Sequence, residues 1–415
     1  MNDFINLLER GKTQFHVVNQ CKSILSENGF VNLCMDGEFN LEDGGRYMLS
    51  PYSSMLVAFI YNKESVNTRL AVAHTDFPML KLKPNPIIRK NGYLQVNVEP
   101  YGGLITASWF DRPLGLAGKL VLQGENVFSP EVRLFDSDKP VFIIPNLAPH
   151  LARDKKNSET DMQKELIPIA GLLSSFPDED SSNPLLSYIA AKENIDPETI
   201  LDYDLYLYVY GAPTFVGLED DFLTAPRIDN ISSVSALCRA ICSCKKPTCT
   251  AVTAFFDNEE IGSRSKQGAD SILLKDIMEK IHGRKPDISN MFTLSVDVAH
   301  ATHPNYTEKS DVTNNVILGD GIVLKSSASQ RYVTDSEAGA VVSALCQSNH
   351  IKLQRQANRS GMAGGQTLGP ILSSYLPAKA ADIGIPMLAM HSAGELIHKN
   401  DYLALIKLIE AYFTN

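Results

Sequence analysis

Positive charge is in short supply: 38 Lys and Arg face 48 Asp and Glu, a formal net charge of −10 over 415 residues. A nucleic-acid partner needs a basic surface to displace counterions, so none is expected. Long uninterrupted apolar runs are missing too. The N-terminal stretch "MNDFINLLERGKTQFHVVNQCKSILSENG" places Phe4, Leu7, Leu8, Phe15, Val18, Cys21 and Leu25 at helical spacing but breaks them with charges throughout. It predicts one amphipathic docking helix, neither a signal peptide nor a membrane span. The 7 cysteines are an odd number for a secreted disulfide framework. Cys238, Cys242, Cys244 and Cys249 crowd one segment without the paired C-x-x-C spacing of a zinc ribbon, so reduced cysteines in a cytoplasmic protein are expected.

Several catalytic signatures are also absent. There is no H-E-x-x-H of a mononuclear zinc protease and no G-x-S-x-G nucleophile elbow. "GLAGKL" has neither the spacing nor the Ser/Thr of a phosphate-binding loop, and "GDGIVL" lacks the third glycine of a dinucleotide fingerprint. Adjacent glutamates do not by themselves supply the separated carboxylates of a glycosidase.

What is present is a soluble, globular composition, 44% hydrophobic and 21% charged, long enough for two domains or one large domain with an insertion. Four apolar, strand-like runs end in polar residues: "RLAVAHTD" (69–76), "TAVTAFFDNEE" (250–260), "MFTLSVDVAH" (291–300) and "IPMLAMHSAGE" (385–395). Helical patterns at 230–243, 336–350 and 402–414 lie between or beside them. Strands alternating with helices predict an α/β sheet, whose ligands collect at the carboxyl ends of the strands. Residues 85–225 read differently: "YLQVNV", "GKLVLQ", "PVFIIP" and "DLYLYVYG" are short β-like runs between Gly, Pro and charged turns, the pattern of a β-rich insertion. The charged "DKKNSETDMQKE" (154–165) predicts an exposed, mobile loop.

Each candidate site residue has an ordinary structural reading. His74 and Asp76 could be a strand end and a turn, although their i, i+2 spacing puts them on one side of an extended chain, where a carboxylate can orient a metal-binding imidazole. Asp229 could cap the following helix. Glu259 and Glu260 could complement a helix dipole. Asp297 could close a strand, and His391 could be a satisfied core histidine. These readings weaken together, because each puts an ionisable group at the end of an apolar run, where burial without a charge partner is costly. Two His and three carboxylates are what a pair of divalent ions needs when one carboxylate bridges them, leaving a sixth group free as a base. Mixed N/O ligands without thiolate suit Zn²⁺, with Mn²⁺ or Co²⁺ as substitutes. Two such ions can hold a bridging hydroxide and stabilise the oxyanion it forms on a carbonyl.

The chain resembles the M18 metalloaminopeptidases, the aspartyl aminopeptidase and aminopeptidase I group, over nearly its whole length. The resemblance rests on "AHTDFP", "SWFDRPLGLAG" (108–118), "IPNLAPHLARD" (144–154), "PRIDN", "DNEEIGS", "SVDVAHA", "KSSASQRY" (325–332), "GGQTLGP" (364–370) and "MHSAGE", in the family's order. It implies that Asp229 bridges two metals, that His74 and Asp297 complete one site and that Glu260 and His391 complete the other. Glu259 would be the general base and Asp76 would orient His74. It further implies an α/β catalytic domain at 1–84 and 226–415 with a central mixed sheet, interrupted by a β-rich dimerisation domain at 85–225. Dimers would assemble into a tetrahedral dodecamer in which His150 reaches a neighbouring subunit's active site. His300 and Lys325 match positions near the substrate; Lys325 could pair with an acidic first side chain or stand solvated. "ANRSGMAGG" has Gly361 where an acidic residue is expected, and "MHSAGE" lacks a bulkier or basic residue before its glutamate; both departures bear on substrate selectivity, not on the metals. The expectation is a cytoplasmic enzyme that removes acidic or neutral N-terminal residues from peptides by way of a metal-bridging water. A related carboxypeptidase or deacylase, and a silent assembly protein of the same fold, are the alternatives.

Overall fold

The computed structural model describes residues 1–152, 160–176, 183–362 and 364–415. Its contacts divide into two units: Met1–Asp76 with Pro213–Met390 and Gly394–Asn415, and Phe77–Ala212 with His391–Ala393. The insertion expected at 85–225 overlaps the second unit, whose first strand is Met79–Lys90. Of the charged segment 154–165, residues 154–159 lie outside the described residues and Met162–Glu165 form one helical turn.

The first unit is built on a nine-stranded mixed sheet. Its centre is parallel: Thr250–Phe256, Thr68–His74, Met291–Val296 and Lys379–Gly384 lie side by side in that order. Met55–Ile60 and Ile322–Ser326 flank them antiparallel. Every residue of "TAVTAFF" is buried, as in a strand covered on both faces. Gly384 allows close packing at the end of the fourth strand, since a Cβ there would fall 1.5 Å from the Asp297 carbonyl oxygen.

The helices expected at 230–243, 336–350 and 402–414 form as Ile228–Ser243, Ser336–Ser348 and Lys399–Thr414. The last of these carries Tyr412, fully buried in the fold, whose hydroxyl donates to the Leu70 carbonyl at 3.1 Å and also to that of Phe292. One side chain thereby joins the helix to the two strands that end near His74 and Asp297.

Two readings of the first unit change. The single N-terminal helix is two, Asn2–Arg10 and Gln14–Glu27, because Thr13 is extended (φ −144°, ψ 167°) and restarts the chain. The run at 385–390 contributes only the short strand Pro386–Met387, with Ala389 at φ 55° turning the chain, while the full strand of the central sheet is Lys379–Gly384.

The second unit is a six-stranded antiparallel sheet ordered Ser129–Asp136, Leu114–Asn126, Ile200–Val209, Met79–Lys90, Tyr93–Tyr101, Ile169–Leu172. Its core gathers Leu80, Val98, Leu116, Leu120, Leu205 and Leu207. "PVFIIP" forms only isolated bridges, at Phe142 and Ile143. Helix Pro184–Glu193 starts at Asn183, whose side-chain oxygen accepts the N–H groups of Leu185 and Leu186.

Candidate metal centre

Three neighbouring parallel strands deliver their last residues to one edge of the first unit's sheet. His74 ends the middle strand, Asp297 follows Met291–Val296, and Glu259 and Glu260 follow Thr250–Phe256 after a tight turn. In that turn Asn258 (φ 63°), Gly262 (φ 99°) and Ser263 (φ 63°) are left-handed, which confines Glu259–Ile261 to one short 3₁₀ turn. The next helix begins only at Leu273. The two glutamates therefore do not open a longer helix, and the dipole reading falls away.

Asp229 enters from the start of helix Ile228–Ser243, where its own backbone is not helical (φ −74°, ψ 110°). Its N–H donates to Glu395 Oε2 at 3.0 Å, and the Asn230 side chain donates to the Val296 carbonyl at 3.0 Å. These two bonds fasten Asp229 beside the strand that delivers Asp297.

The carboxylates converge on one nitrogen. His74 Nε2 lies 3.5 Å from Asp229 Oδ1, 3.6 Å from Asp297 Oδ1 and 4.0 Å from Glu259 Oε2. His74 Nδ1 donates to the main-chain carbonyl of Asp76 at 2.9 Å, whereas the Asp76 carboxylate stands further off at 3.5 Å. Asp76 thus orients the ring chiefly through its backbone. Its carboxylate accepts the main-chain N–H groups of Glu259 and Glu260, each at 3.2 Å. Among the described residues, His74 with Asp229 and Asp297, and His74 with Glu259 and Glu260, each bring ligand atoms within 4.8 Å of one another.

Burial and crowding set the electrostatics. Burial pushes the Glu259 carboxyl up to about 8; His74 opposes the rise, while Asp297, Asp76 and Asp229 add to it. Burial disfavours a charged His74, but Glu259, Asp229, Asp297 and Asp76 outweigh it and hold the imidazole well above its ordinary pKa. So much negative charge around one imidazole edge fits divalent cations, which imidazole nitrogen and carboxylate oxygen bind without thiolate.

His391 belongs by its contacts to the second unit, in a three-residue segment flanked by Met390 and Gly394 of the first. Its backbone is left-handed (φ 67°), and Nδ1 donates to the Gly103 carbonyl at 2.8 Å. With Nδ1 donating, Nε2 is the lone-pair nitrogen of the neutral ring, an arrangement suited to binding a metal ion. His150 is exposed in a turn of the second unit, and His300 is exposed at the end of the short strand Ala299–His300. Lys325 is not solvated: it is 1% exposed, donates to the Val298 carbonyl at 2.8 Å and stands 3.6 Å from Asp297 Oδ2. Gly361 has φ 83°, a conformation an acidic residue would occupy only with strain, and Ala363 in the same segment lies outside the described residues.

Three supporting residues escape a reading by motif. Asn230 and Glu395 sit inside "PRIDN" and "MHSAGE" but look like spacers beside the ionisable residues singled out there. Asp382 lies in "KAADIG", and its signal is a lone acid within an otherwise small and apolar strand.

Comparison with known proteins places the chain in a family. The family described as aminopeptidase I zinc metalloprotease (M18) matches residues 7–413. A probable M18 family aminopeptidase 2 from Clostridium novyi is 37% identical over 99% of this chain and 98% of its own. Among solved structures, the complex of Ape4 and Nbr1 contains a chain that superposes with a TM-score of 0.94 at 31% identity, covering 99% of this chain and 85% of that one. The S. cerevisiae mApe1 dodecamer matches at 0.85 and 26% identity over 99% of this chain and 95% of its own. The chain therefore belongs to the M18 family and is a metal-dependent aminopeptidase.

Proposed function

We propose that the chain removes the N-terminal residue of peptides at a pair of divalent ions, zinc being the natural occupant of an imidazole and carboxylate site. His74 and Asp297 would hold one ion, Glu260 and His391 the other, and Asp229 would contact both. The convergence of Asp229, Asp297 and Glu259 on His74 Nε2, all within 4.0 Å, is the observation that carries this reading. When bound, the ions supply Lewis-acid polarisation of the scissile carbonyl and acidify the attacking water. Glu259 takes the proton of that water and later returns it to the leaving amine. Asp76 holds the Glu259–Glu260 backbone and the His74 ring, so that base and ligands keep one geometry.

His300 and Lys325 act on the substrate side, with an acidic or a neutral N-terminal residue as the preferred one. The yeast relative is a dodecamer. We extend that state to this chain: dimers formed through the β-rich region at 85–225 close into a tetrahedral dodecamer in the cytoplasm, and His150 reaches a neighbouring subunit's site. Its exposed position in a turn supports that reach.

The test compares aminoacyl anilides with N-blocked peptides, using metal-stripped protein refilled with Zn²⁺, Mn²⁺ or Co²⁺. Cleavage of free-amine substrates that returns with metal is expected. Cleavage confined to blocked substrates contradicts the proposal.

A further inference from the structure

Asp382 has no part in the metal centre, yet it is fully buried in the central sheet. It lies in register with Lys325 on the neighbouring strand. Its carboxylate accepts the Thr367 hydroxyl at 2.7 Å on one oxygen and the Val333 N–H on the other, while its own N–H donates to Thr334 Oγ1 at 2.8 Å. Gly369 presses against the same group, since a Cβ there would meet Asp382 Oδ2 at 2.9 Å. One acid thus ties two separate segments, 333–334 and 367–369, to the sheet.

The first of these segments adjoins the reacting region, and the second, itself buried, is tied to it by the Thr367 N–H, which donates to the Arg331 carbonyl at 3.4 Å. Tyr332 immediately precedes the pinned Val333, and the Lys325 ammonium sits 5.3 Å from the centre of the Tyr332 ring. The same ammonium stands 3.6 Å from Asp297 Oδ2. Burying a carboxylate is costly unless it is hydrogen-bonded or paired, and here hydrogen bonds from the two segments and the charge of the neighbouring Lys325 compensate it.

We propose that Asp382 is a positioning residue that, with the buried Thr367–Gly369 segment behind it, fixes Tyr332 as one wall of the place where the substrate's N-terminal residue binds. This rests on the reading of Lys325 as a substrate-side residue. Asp382 touches neither substrate nor metal ligand; it acts through the segments it holds. A wall that contacts ground state and transition state alike contributes uniform binding, so loosening it raises KM and leaves kcat in place.

The experiment measures KM, kcat, metal per chain and melting temperature for Thr367→Val, Thr367→Ser and Asp382→Asn on an aminoacyl anilide. Thr367→Val is expected to raise KM about tenfold, the loss of a hydrogen bond to a charged group, with kcat within about twofold and metal content unchanged. Thr367→Ser keeps the hydroxyl and is expected to restore KM. Asp382→Asn removes the charge and is expected to follow Thr367→Val; if it does not fold, the Thr367 pair still decides. Wild-type KM in Thr367→Val overturns the inference, as does a loss that tracks metal content or melting temperature instead of KM. A wild-type protein inert on every anilide overturns the aminopeptidase reading itself, and this inference with it.

Discussion

The carboxylate of Asp76 accepts the main-chain N–H of Glu259 at 3.2 Å, and its second oxygen takes that of Glu260 at the same distance. The backbone carbonyl of Asp76 meanwhile holds His74 Nδ1 at 2.9 Å. One residue therefore sets the position of the proposed base and of a proposed ligand by two different groups.

This separation makes Asp76→Asn informative. The substitution leaves the main-chain carbonyl on His74 but replaces one carboxylate oxygen by an NH₂ that cannot accept. We expect kcat to fall roughly 10- to 100-fold, the usual cost of disturbing an outer hydrogen bond at a metal site. Metal content measured by mass spectrometry is expected to stay near that of the wild type. Loss of metal with unchanged kcat per bound metal would place the role of Asp76 on the ligands alone.

Tyr412→Phe tests how the C-terminal helix is fastened. It removes the hydroxyl that donates to the Leu70 and Phe292 carbonyls and leaves the ring in its packing. A cost of about 1 to 3 kcal/mol in urea unfolding is expected, because buried carbonyls lose a donor. Activity per folded molecule is expected to stay unchanged, and an equal loss of activity would mean that this helix helps to set the site.

The second unit carries a pH-dependent contact. Asp204 meets Lys81 at 2.8 Å and Lys119 at 3.1 Å. Burial favours its neutral form, but the hydrogen bond and charge of Lys81, followed by Lys119, outweigh this and hold its pKa below the usual carboxylate value. A depressed folded-state pKa gives stability that is present above the unfolded pKa, about 4, and is lost as pH falls through the folded value. Asp204→Asn should therefore lower the melting temperature at pH 7, and the gap from wild type should shrink towards pH 3. A gap independent of pH would contradict this assignment.

The placement of the candidate residues is legible where apolar runs stop. His74 ends one buried strand, Asp297 and the Glu259–Glu260 pair follow two others, and burial makes such strands easy to read. The long helices were equally legible from their periodicity. What escaped was set by backbone turns and tertiary hydrogen bonds. Thr13 splits the N-terminal helix without altering its apolar spacing. The strand with Asp382 is short and rich in small residues, so by pattern the more apolar run after it is the stronger strand candidate. The anchoring of Asp229 by Glu395 spans 166 residues of sequence, beyond the reach of any local pattern. Lys325, by composition a surface residue, is buried only because the fold offers it the Val298 carbonyl and Asp297.

The most direct test of the account lies in two neighbouring glutamates given different tasks. Bound metal and kcat are measured side by side for Glu259→Gln and Glu260→Gln. Glu259→Gln should keep wild-type metal content and lose about 10²- to 10⁴-fold in kcat, the range expected when a general base is removed. Glu260→Gln should lose metal, with activity falling in proportion. Undiminished turnover in Glu259→Gln, or full metal content in Glu260→Gln, would contradict the assignment.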